Sequence, residues 1–451
     1  MQNKIVIVGS NAAGLSAASA ARKLDRKANI TLITEEAYPY YSRCGLPYVI
    51  AGDISRFEDL VIFPQPYFQM MRLNLLTQTT VKYVNPNEKI LTVENIDGKT
   101  DTISYDKLIL ATGAQPFIPP IRGVKKRGVF TLRNIQDGLL ISKQAIAGKQ
   151  AVIIGAGFVG LELAHALSIR GVKVMIVEMM PHILPTLLDQ DMAMKIHARI
   201  VEKDVRIITG KAVKEVKGKE EIEEVVINNE IYIADIVIVA TGVRSRTELA
   251  IQAGLKIGSV KGIVVNQKME TTIPDIYAAG DCVESRNIVT DLPTLCQLGT
   301  TAMRQGKVAG INAAGGFSVF KGVLCSAVLK AFDLEVGATG LTTNDAEKNG
   351  LQTVSGLVRG KTRAEYFPGA GEIDVKVISE INSNRVIGAQ IIGVEGVAQR
   401  INMLALGIEK KVTLEELSHI DACYSPPVAD SWEVVSLAAE MALRKCKRRT
   451  M

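Results

Sequence analysis

The sequence predicts an α/β chain built on two Rossmann-like dinucleotide-binding units. Near the N-terminus an apolar strand runs straight into a glycine turn and a small-residue helix, and the same device recurs at Gly155. Each copy is followed by a further apolar strand closing on Ala-Thr-Gly, so the chain returns out of each unit, and the later unit reads as an insertion in the earlier one.

Taken in order, residues 4–9 read as a short buried strand. The turn Gly9-Ser10-Asn11-Ala12-Ala13-Gly14 keeps the first and third glycines of G-x-G-x-x-G, with Asn11 in the middle slot where backbone approaches a pyrophosphate. Asn tolerates φ > 0 better than most residues, so Asn11 is expected to accept a left-handed backbone there. A helix opens with Leu15-Ser16-Ala17-Ala18, and the strand Ile30–Ile33 leads to Glu35 and Glu36. Glu35 stands where a ribose-binding acid belongs; a solvated loop acid is the alternative.

The second copy is cleaner. Strand Ala151–Ile154 meets Gly155-Ala156-Gly157-Phe158-Val159-Gly160, then a helix carrying Glu162, then strand Val174–Val177 ending at Glu178. A carboxylate at that place accepts from a ribose 2′-OH and repels a 2′-phosphate. Met179, Met180 and Pro181 follow it, with no Arg or Lys nearby, which favours NADH while leaving NADPH open. The returning strands are Leu108–Leu110 before Ala111-Thr112-Gly113 and Val237–Val239 before Ala240-Thr241-Gly242; Ile276–Ala278 is a third, ahead of Gly280 and Asp281.

Bulk properties narrow the class. A chain of 451 residues outgrows a single core, and 47% apolar residues with only 5% aromatics suit α/β architecture. The net charge of +6 owes much to Arg444, Lys445, Lys447, Arg448 and Arg449, which read as a solvated helix end. No basic stripe with stacking aromatics suggests nucleic acid. No apolar run reaches the roughly 18 residues of a membrane span, and Gly9 and Gly14 argue against a signal peptide, so a soluble protein is expected. Six scattered cysteines show no Cys-x-x-Cys and no zinc spacing, so no metal site is expected and the cytoplasm is the expected compartment.

These pieces in this order resemble the pyridine nucleotide-disulfide oxidoreductases over nearly all of the chain. The resemblance implies an FAD domain at residues 1–112 and 243–322, an inserted NAD(H) domain at 113–242, and a C-terminal α+β dimerisation domain at 323–451. It places FAD at Gly9, Asn11, Ala12, Ala13, Gly14, Glu35, Arg43, Ala111, Thr112, Gly113, Gly280 and Asp281, the last on the ribityl chain. NADH falls to Gly155, Gly157, Phe158, Val159, Gly160, Glu162, Glu178 and Gly242, and a homodimer is implied.

The segment Tyr41-Ser42-Arg43-Cys44-Gly45-Leu46-Pro47-Tyr48 is similar to the single-cysteine branch of coenzyme A disulfide reductases, persulfide or polysulfide reductases, NADH oxidases and NADH peroxidases. The dithiol branch carries a second cysteine five positions on, where this chain has Val49. Oxidised Cys44 must therefore hold another molecule's sulfur or an oxygen. Arg43 and a helix opening after Cys44 are expected to favour the thiolate. Cys282, Cys296, Cys325 and Cys446 read as structural. Cys423 reads as a buried structural residue too, a second thiol near the partner's Cys44 being the alternative.

Oxidase and peroxidase members carry a His in the first glycine turn, where this chain has Ala12; Ala12-Ala13-Gly14 resembles the coenzyme A disulfide and persulfide reductases. His165, His182, His197 and His419 offer no replacement. In those reductases, tyrosines of the partner's C-terminal domain reach the cysteine from segments resembling Ala364–Gly369 and Cys423–Pro427, which implies catalytic roles for Tyr366 and Tyr424. Arg22 and Lys23 match residues that contact coenzyme A phosphates, although cations at a helix end are favoured anyway. The leading expectation is NADH-dependent reduction of a low-molecular-weight disulfide, persulfide or polysulfide through Cys44. NADH oxidase, and electron transfer to an iron-sulfur partner in a larger complex, are the alternatives.

Overall fold

The computed structural model describes residues 2–450, with side chains to Lys447, so Arg448 and Arg449 of the basic tail lie outside the described side chains. The chain forms two compact units. One comprises residues up to Leu46, Ser55–Pro116 and Val243–Val323; the other comprises Pro47–Ile54, Phe117–Gly242 and the residues from Leu324 onward.

In the first unit the β-branched run of Lys4–Val8 is buried on both faces and forms the middle of a five-stranded parallel sheet. Asn29–Ile33 and then Leu73–Leu76 lie on one side, Lys107–Leu110 and then Ile276–Ala278 on the other. The register sets Val8 opposite both Ile33 and Leu110, so the strand ends align where the glycine turn begins. The Ala12–Leu24 and Gly299–Ala313 helices touch through backbone: a Cβ on Gly306 would lie 2.1 Å from the Ala13 carbonyl oxygen, and one on Gly310 would lie 2.1 Å from that of Ala17. The short strand Ala114–Pro116 pairs antiparallel with Val243–Ser245; these are the points where the chain leaves this unit and re-enters it.

The second unit repeats the plan. Gln150–Ile154 runs between Lys173–Glu178 and Ile236–Val239, with Arg206–Thr209 and Val129–Phe130 outermost, every pair parallel. From Leu324 onward the architecture changes to a five-stranded antiparallel sheet in the order Ala327–Ala331, Leu334–Gly340, Val386–Gly393, Glu372–Glu380, Thr353–Lys361. Helices Val397–Glu409 and Val434–Thr450 pack on it.

A polar cluster explains why residues 117–242 group with this sheet. Lys376, nearly buried, reaches Asp189 at 3.0 Å and Asp191 at 2.8 Å, and Asp189 exchanges hydrogen bonds with Gln390 while accepting two from Thr343. Both aspartates stand at the start of the Gln190–Val201 helix, which is thereby tied to the sheet. No helix among the described residues is long and apolar enough to cross a membrane.

The helix contact makes a prediction. Gly310→Val forces backbone apart and should destabilise by about 1–3 kcal/mol in calorimetric unfolding. Gly157→Ala, whose Cβ would meet nothing within 4 Å, should change stability by less than about 1 kcal/mol.

Candidate functional site

Just past the carboxyl ends of Lys4–Val8, Lys107–Leu110 and Ile276–Ala278 the chain carries a positive-φ glycine in each case, Gly9, Gly113 and Gly280. Gly9 has φ 104°, and a Cβ on it would lie 2.2 Å from the Ala111 carbonyl oxygen; a Cβ on Gly14 would lie 1.8 Å from that of Gly9. No rotamer relieves contacts with backbone, so only glycine fits. Gly280, with φ 90°, faces Ala13 and donates its N–H to Gln305 at 2.9 Å. The turn thus delivers the start of the Ala12–Leu24 helix to the strand ends, an arrangement that receives a pyrophosphate.

Asn11 departs from expectation. Its φ is −80°, extended rather than left-handed, and it caps the helix, accepting from Ala12 N–H at 2.8 Å while its Nδ2 donates to the Tyr41 carbonyl at 3.2 Å. The middle slot of the second turn behaves alike: Gly157 has φ −82° and open space where a Cβ would stand. What this position requires is room for an approaching ligand, which a short polar side chain folded back on the backbone also leaves.

Glu35 is gripped by Arg246, whose Nη1 pairs with one carboxylate oxygen and whose Nη2 donates to the other at 3.1 Å. That hydrogen bonding holds the Glu35 carboxyl below its ordinary pKa. Thr112 Oγ1 donates to the Arg246 carbonyl at 2.7 Å and Arg246 N–H to that of Gly113 at 2.9 Å, so the Ala-Thr-Gly segment seats Arg246. Sequence reasoning missed Arg246 because no motif marks it. The Asp281 carbonyl accepts from Ser245 Oγ at 2.6 Å.

The second cradle has the same steric logic. A Cβ on Gly155 would lie 2.4 Å from the Ala240 carbonyl oxygen, and one on Gly160 would lie 2.1 Å from that of Gly155. Glu178 is buried at the mouth of the turn, one carboxylate oxygen accepting from Ala156 N–H and the other from Met180 N–H, both at 2.8 Å. Phe158 and Val159 begin the helix that carries Glu162, and Gly242 has φ 98° at the end of the returning strand. Each cradle offers a turn whose first and last glycines admit no Cβ, a helix N-terminus and a terminal acid, and so fits a dinucleotide.

Arg43-Cys44-Gly45 forms one tight helical turn ahead of the Leu46–Ala51 helix. Gly45 sits against Leu60, where a Cβ would come within 2.4 Å of Cδ2, and Ser42 N–H donates to the Leu60 carbonyl at 3.0 Å. The backbone around the exposed Cys44 is therefore pinned. Arg43 forms an ion pair with Glu36 and lies 5.2 Å from the Tyr41 ring centroid. Tyr41 donates to the same Glu36 at 2.6 Å. Burial opposes the Arg43 charge, but Glu36, Tyr41 and Asp281 outweigh it and its pKa rises.

In the second unit Pro47, Tyr48, Ala51, Glu162, His165, Ala166 and Lys330 line a recess too narrow to hold water. Tyr48 donates to Glu162 at 3.5 Å, which only partly offsets burial, and the Glu162 carboxyl is pushed up to about 7. Burial lowers the His165 pKa; its Nδ1 is buried with no hydrogen-bond partner, and its ring stands edge-on to Phe332. The motif marked Glu162, but nothing in the sequence joins Tyr48, His165 and Lys330 to it.

Tyr366 and Tyr424 come together, their hydroxyls 2.9 Å apart, and this hydrogen bond raises the Tyr424 pKa. Cys423 beside them is exposed, correcting the expectation of a buried residue; residues 421–424 lie in irregular, exposed chain. Cys325 also departs from the core reading, being half-buried with φ 52°. Cys282, Cys296 and Cys446 are buried, and burial raises the Cys282 thiol. Arg22 spends its guanidinium on the carbonyls of Met71, Asp25, Arg26 and Arg72, a structural use that leaves less for a phosphate; Lys23 is exposed.

Glu162 carries a pH prediction. With its pKa raised from 4.5 to about 7, it stays protonated in the folded chain where the unfolded chain ionises it. The resulting stability is full below about 4.5 and is lost as pH rises through about 7. Glu162→Gln should match the unsubstituted protein near pH 4.5 and exceed it at pH 8 by up to about 3 kcal/mol in denaturant unfolding.

Residues 3–306 match the pyridine nucleotide-disulphide oxidoreductase family, and residues 326–435 match its dimerisation domain. A Methanocaldococcus jannaschii protein named NADH oxidase is 45% identical over 450 residues, covering 99% of this chain and 100% of its own length. A Pyrococcus furiosus protein named NAD(P)H sulfur oxidoreductase (CoA-dependent) is 33% identical, covering 98% of this chain and 99% of its own. The structure of an NAD-dependent persulfide reductase from A. fulgidus superposes with a TM-score of 0.96 at 36% identity, covering 99% of this chain and 84% of that one. With its two glycine cradles and these matches along nearly its whole length, the chain belongs to the pyridine nucleotide-disulphide oxidoreductase family.

Proposed function

We propose that this FAD- and NAD(P)H-dependent oxidoreductase reduces low-molecular-weight disulfides, persulfides or polysulfide through Cys44, as a homodimer in the cytoplasm. The observation that carries the reading is an exposed thiol on a pinned turn, with Val49 where dithiol members of the family place a second cysteine. With valine at that place, oxidised Cys44 holds another molecule's sulfur or an oxygen, and a substrate disulfide or persulfide supplies the sulfur. Residues 1–112 with 243–322, 113–242 and 323–451 are assigned to FAD, NAD(H) and dimerisation respectively.

FAD held on the Gly9–Gly14 cradle and a nicotinamide nucleotide on the Gly155–Gly160 cradle would together supply two electrons per substrate disulfide. The rest of the chemistry belongs to side chains of the protein. Cys44 thiolate attacks one sulfur of R–S–S–R, forming a Cys44–S–S–R bond as the substrate bond breaks and RS⁻ departs. Two electrons then break the mixed disulfide, returning the Cys44 thiolate and releasing the second RS⁻. The proton from NADH oxidation and one from solvent give two RSH. Tyr424 of the partner subunit is assigned to donate a hydrogen bond to the departing sulfur, and while it does so its oxygen can accept from the Tyr366 hydroxyl.

Two observations favour sulfur as the acceptor: Ala12 stands where oxidase and peroxidase members carry a His, and sulfur-named relatives match over 98–99% of this chain. The name of the M. jannaschii relative supports a second reading, NADH oxidase. Steady-state NADH consumption with coenzyme A disulfide under argon, set against oxygen alone, separates the two.

Cys44→Ser keeps size and polarity but loses the thiolate. FAD should stay bound and NADH should still bleach it, while disulfide or persulfide turnover falls by at least about a hundredfold. Wild-type turnover in this variant would rule out the sulfur relay. Glu178→Ala should shrink the preference for NADH over NADPH by about tenfold in kcat/KM, since a hydrogen bond to a charged group is lost. An enzyme already faster with NADPH would remove the argument from this acid.

A further inference from the structure

Tyr366 and Tyr424 belong to different loops, 58 residues apart in sequence, and neither is held by apolar burial: they are 74% and 50% exposed. What places their hydroxyls 2.9 Å apart is therefore the anchoring of the two loops. Both anchors come from one short stretch, the turn Val394-Glu395-Gly396 between the Val386–Gly393 strand and the Val397–Glu409 helix, together with the first turn of that helix.

The loop carrying Tyr366 spans residues 362–371, between strands Thr353–Lys361 and Glu372–Glu380. Its base is closed by Thr362 and Gly371, with Thr362 N–H donating to the Gly371 carbonyl at 2.9 Å and Gly371 N–H to Thr362 Oγ1 at 3.1 Å. Glu395 clasps that base: one carboxylate oxygen accepts from Thr362 Oγ1 at 2.8 Å and from Arg363 Nε at 3.0 Å, with Arg363 Nη2 joining them. Val394 closes on the other side, so tightly that a Cβ on Gly371 would lie 2.0 Å from its Cγ2.

The segment carrying Tyr424 ends at Glu433, just before the Val434–Thr450 helix. Arg400 takes Glu433 in a two-pronged pair, Nε to Oε1 at 2.7 Å and Nη2 to Oε2 at 3.0 Å, with both side chains largely buried. Gly396, with φ 75°, allows Arg400 to fold back and donate to its carbonyl at 3.2 Å; a Cβ there would meet Arg400 Nη1 at 2.6 Å. The charges alternate Arg363, Glu395, Arg400, Glu433. Forked pairs of this kind set orientation more firmly than single contacts.

We propose that Glu395 and Arg400 are positioning residues for the Tyr366–Tyr424 hydroxyl pair, one turn fixing both loops so that the phenols meet a departing thiolate together. This rests on the reading of that pair as the donor to the leaving sulfur. Neither residue touches substrate; each acts through the loop it holds.

The test uses the holoenzyme with two disulfides that differ in their need for help. Coenzyme A disulfide expels an alkyl thiolate, while 5,5′-dithiobis(2-nitrobenzoate) expels an aromatic thiolate that leaves unaided. Glu395→Gln should lose about tenfold in kcat with the first and less than about twofold with the second, at an unchanged rate of flavin reduction by NADH, and Glu395→Asp should recover part of the loss. Arg400→Lys, which keeps the charge but not the fork, should show the same selectivity. Trp432, the single tryptophan and the neighbour of Glu433, should lose fluorescence anisotropy in Arg400→Lys as its segment loosens. Equal loss with both disulfides, or no loss, overturns the proposal by leaving only a structural role. Tyr424→Phe separates this from the underlying reading. If it discriminates between the disulfides while Glu395→Gln does not, positioning fails and the phenol's role stands; if it does not discriminate, the reading of the tyrosines falls and takes the proposal with it.

Discussion

Both parallel sheets depend on places where backbone meets backbone with no side chain between. In the first unit the Gly14 α-carbon lies so near the Gly9 carbonyl that an added carbon would be 1.8 Å from its oxygen, and Gly160 and Gly155 repeat this at 2.1 Å. The contact brings the helix down onto the turn and aims its first N–H groups over the strand ends. Ala111 and Gly280 in the first unit, and Glu178 in the second, stand at those ends by strand pairing and hydrogen bonds of their own. Gly306 and Gly310 extend the same device to a second helix, so at that helix pair backbone meets backbone inside a core otherwise filled by apolar side chains.

Charge is used in two contrasting ways. Lys376 and its aspartates, and Arg43 with Glu36, are part-buried charges given partners, and their effect is to specify orientation more than to add stability. Glu162 is a carboxyl whose burial is offset only by a long hydrogen bond from Tyr48, and its pKa climbs towards neutrality. Titratable behaviour near pH 7 thus sits on the helix that opens the second cradle, where a proton or a bound nucleotide changes the charge balance most.

How much of this could be read from residues alone depends on the range of the interaction. The two cradles, their returning strands and the terminal acid Glu178 were legible because strand, turn and helix are consecutive and glycine spacing records the steric contact directly. Asn11 was misjudged because the motif's middle glycine invites a φ > 0 argument, whereas the backbone there is extended. Arg246 on Glu35, Glu36 on Arg43 and Tyr48 on Glu162 were invisible, since each joins segments that no local pattern connects. The four carbonyls that Arg22 reaches were equally invisible, since they come from segments on either side of the helix end. Cys423 reads as apolar by residue type, but it sits in an irregular loop that no helix or strand draws into a core.

The strand pair formed by Ala114–Pro116 and Val243–Ser245 makes the first sheet self-contained. Entry and exit of residues 117–242 lie side by side, three residues wide, bonded to each other within the first unit. All five strands of the host sheet come from residues outside 117–242, so its order is complete without that stretch, and a three-residue ribbon is the whole of the seam that closes behind it.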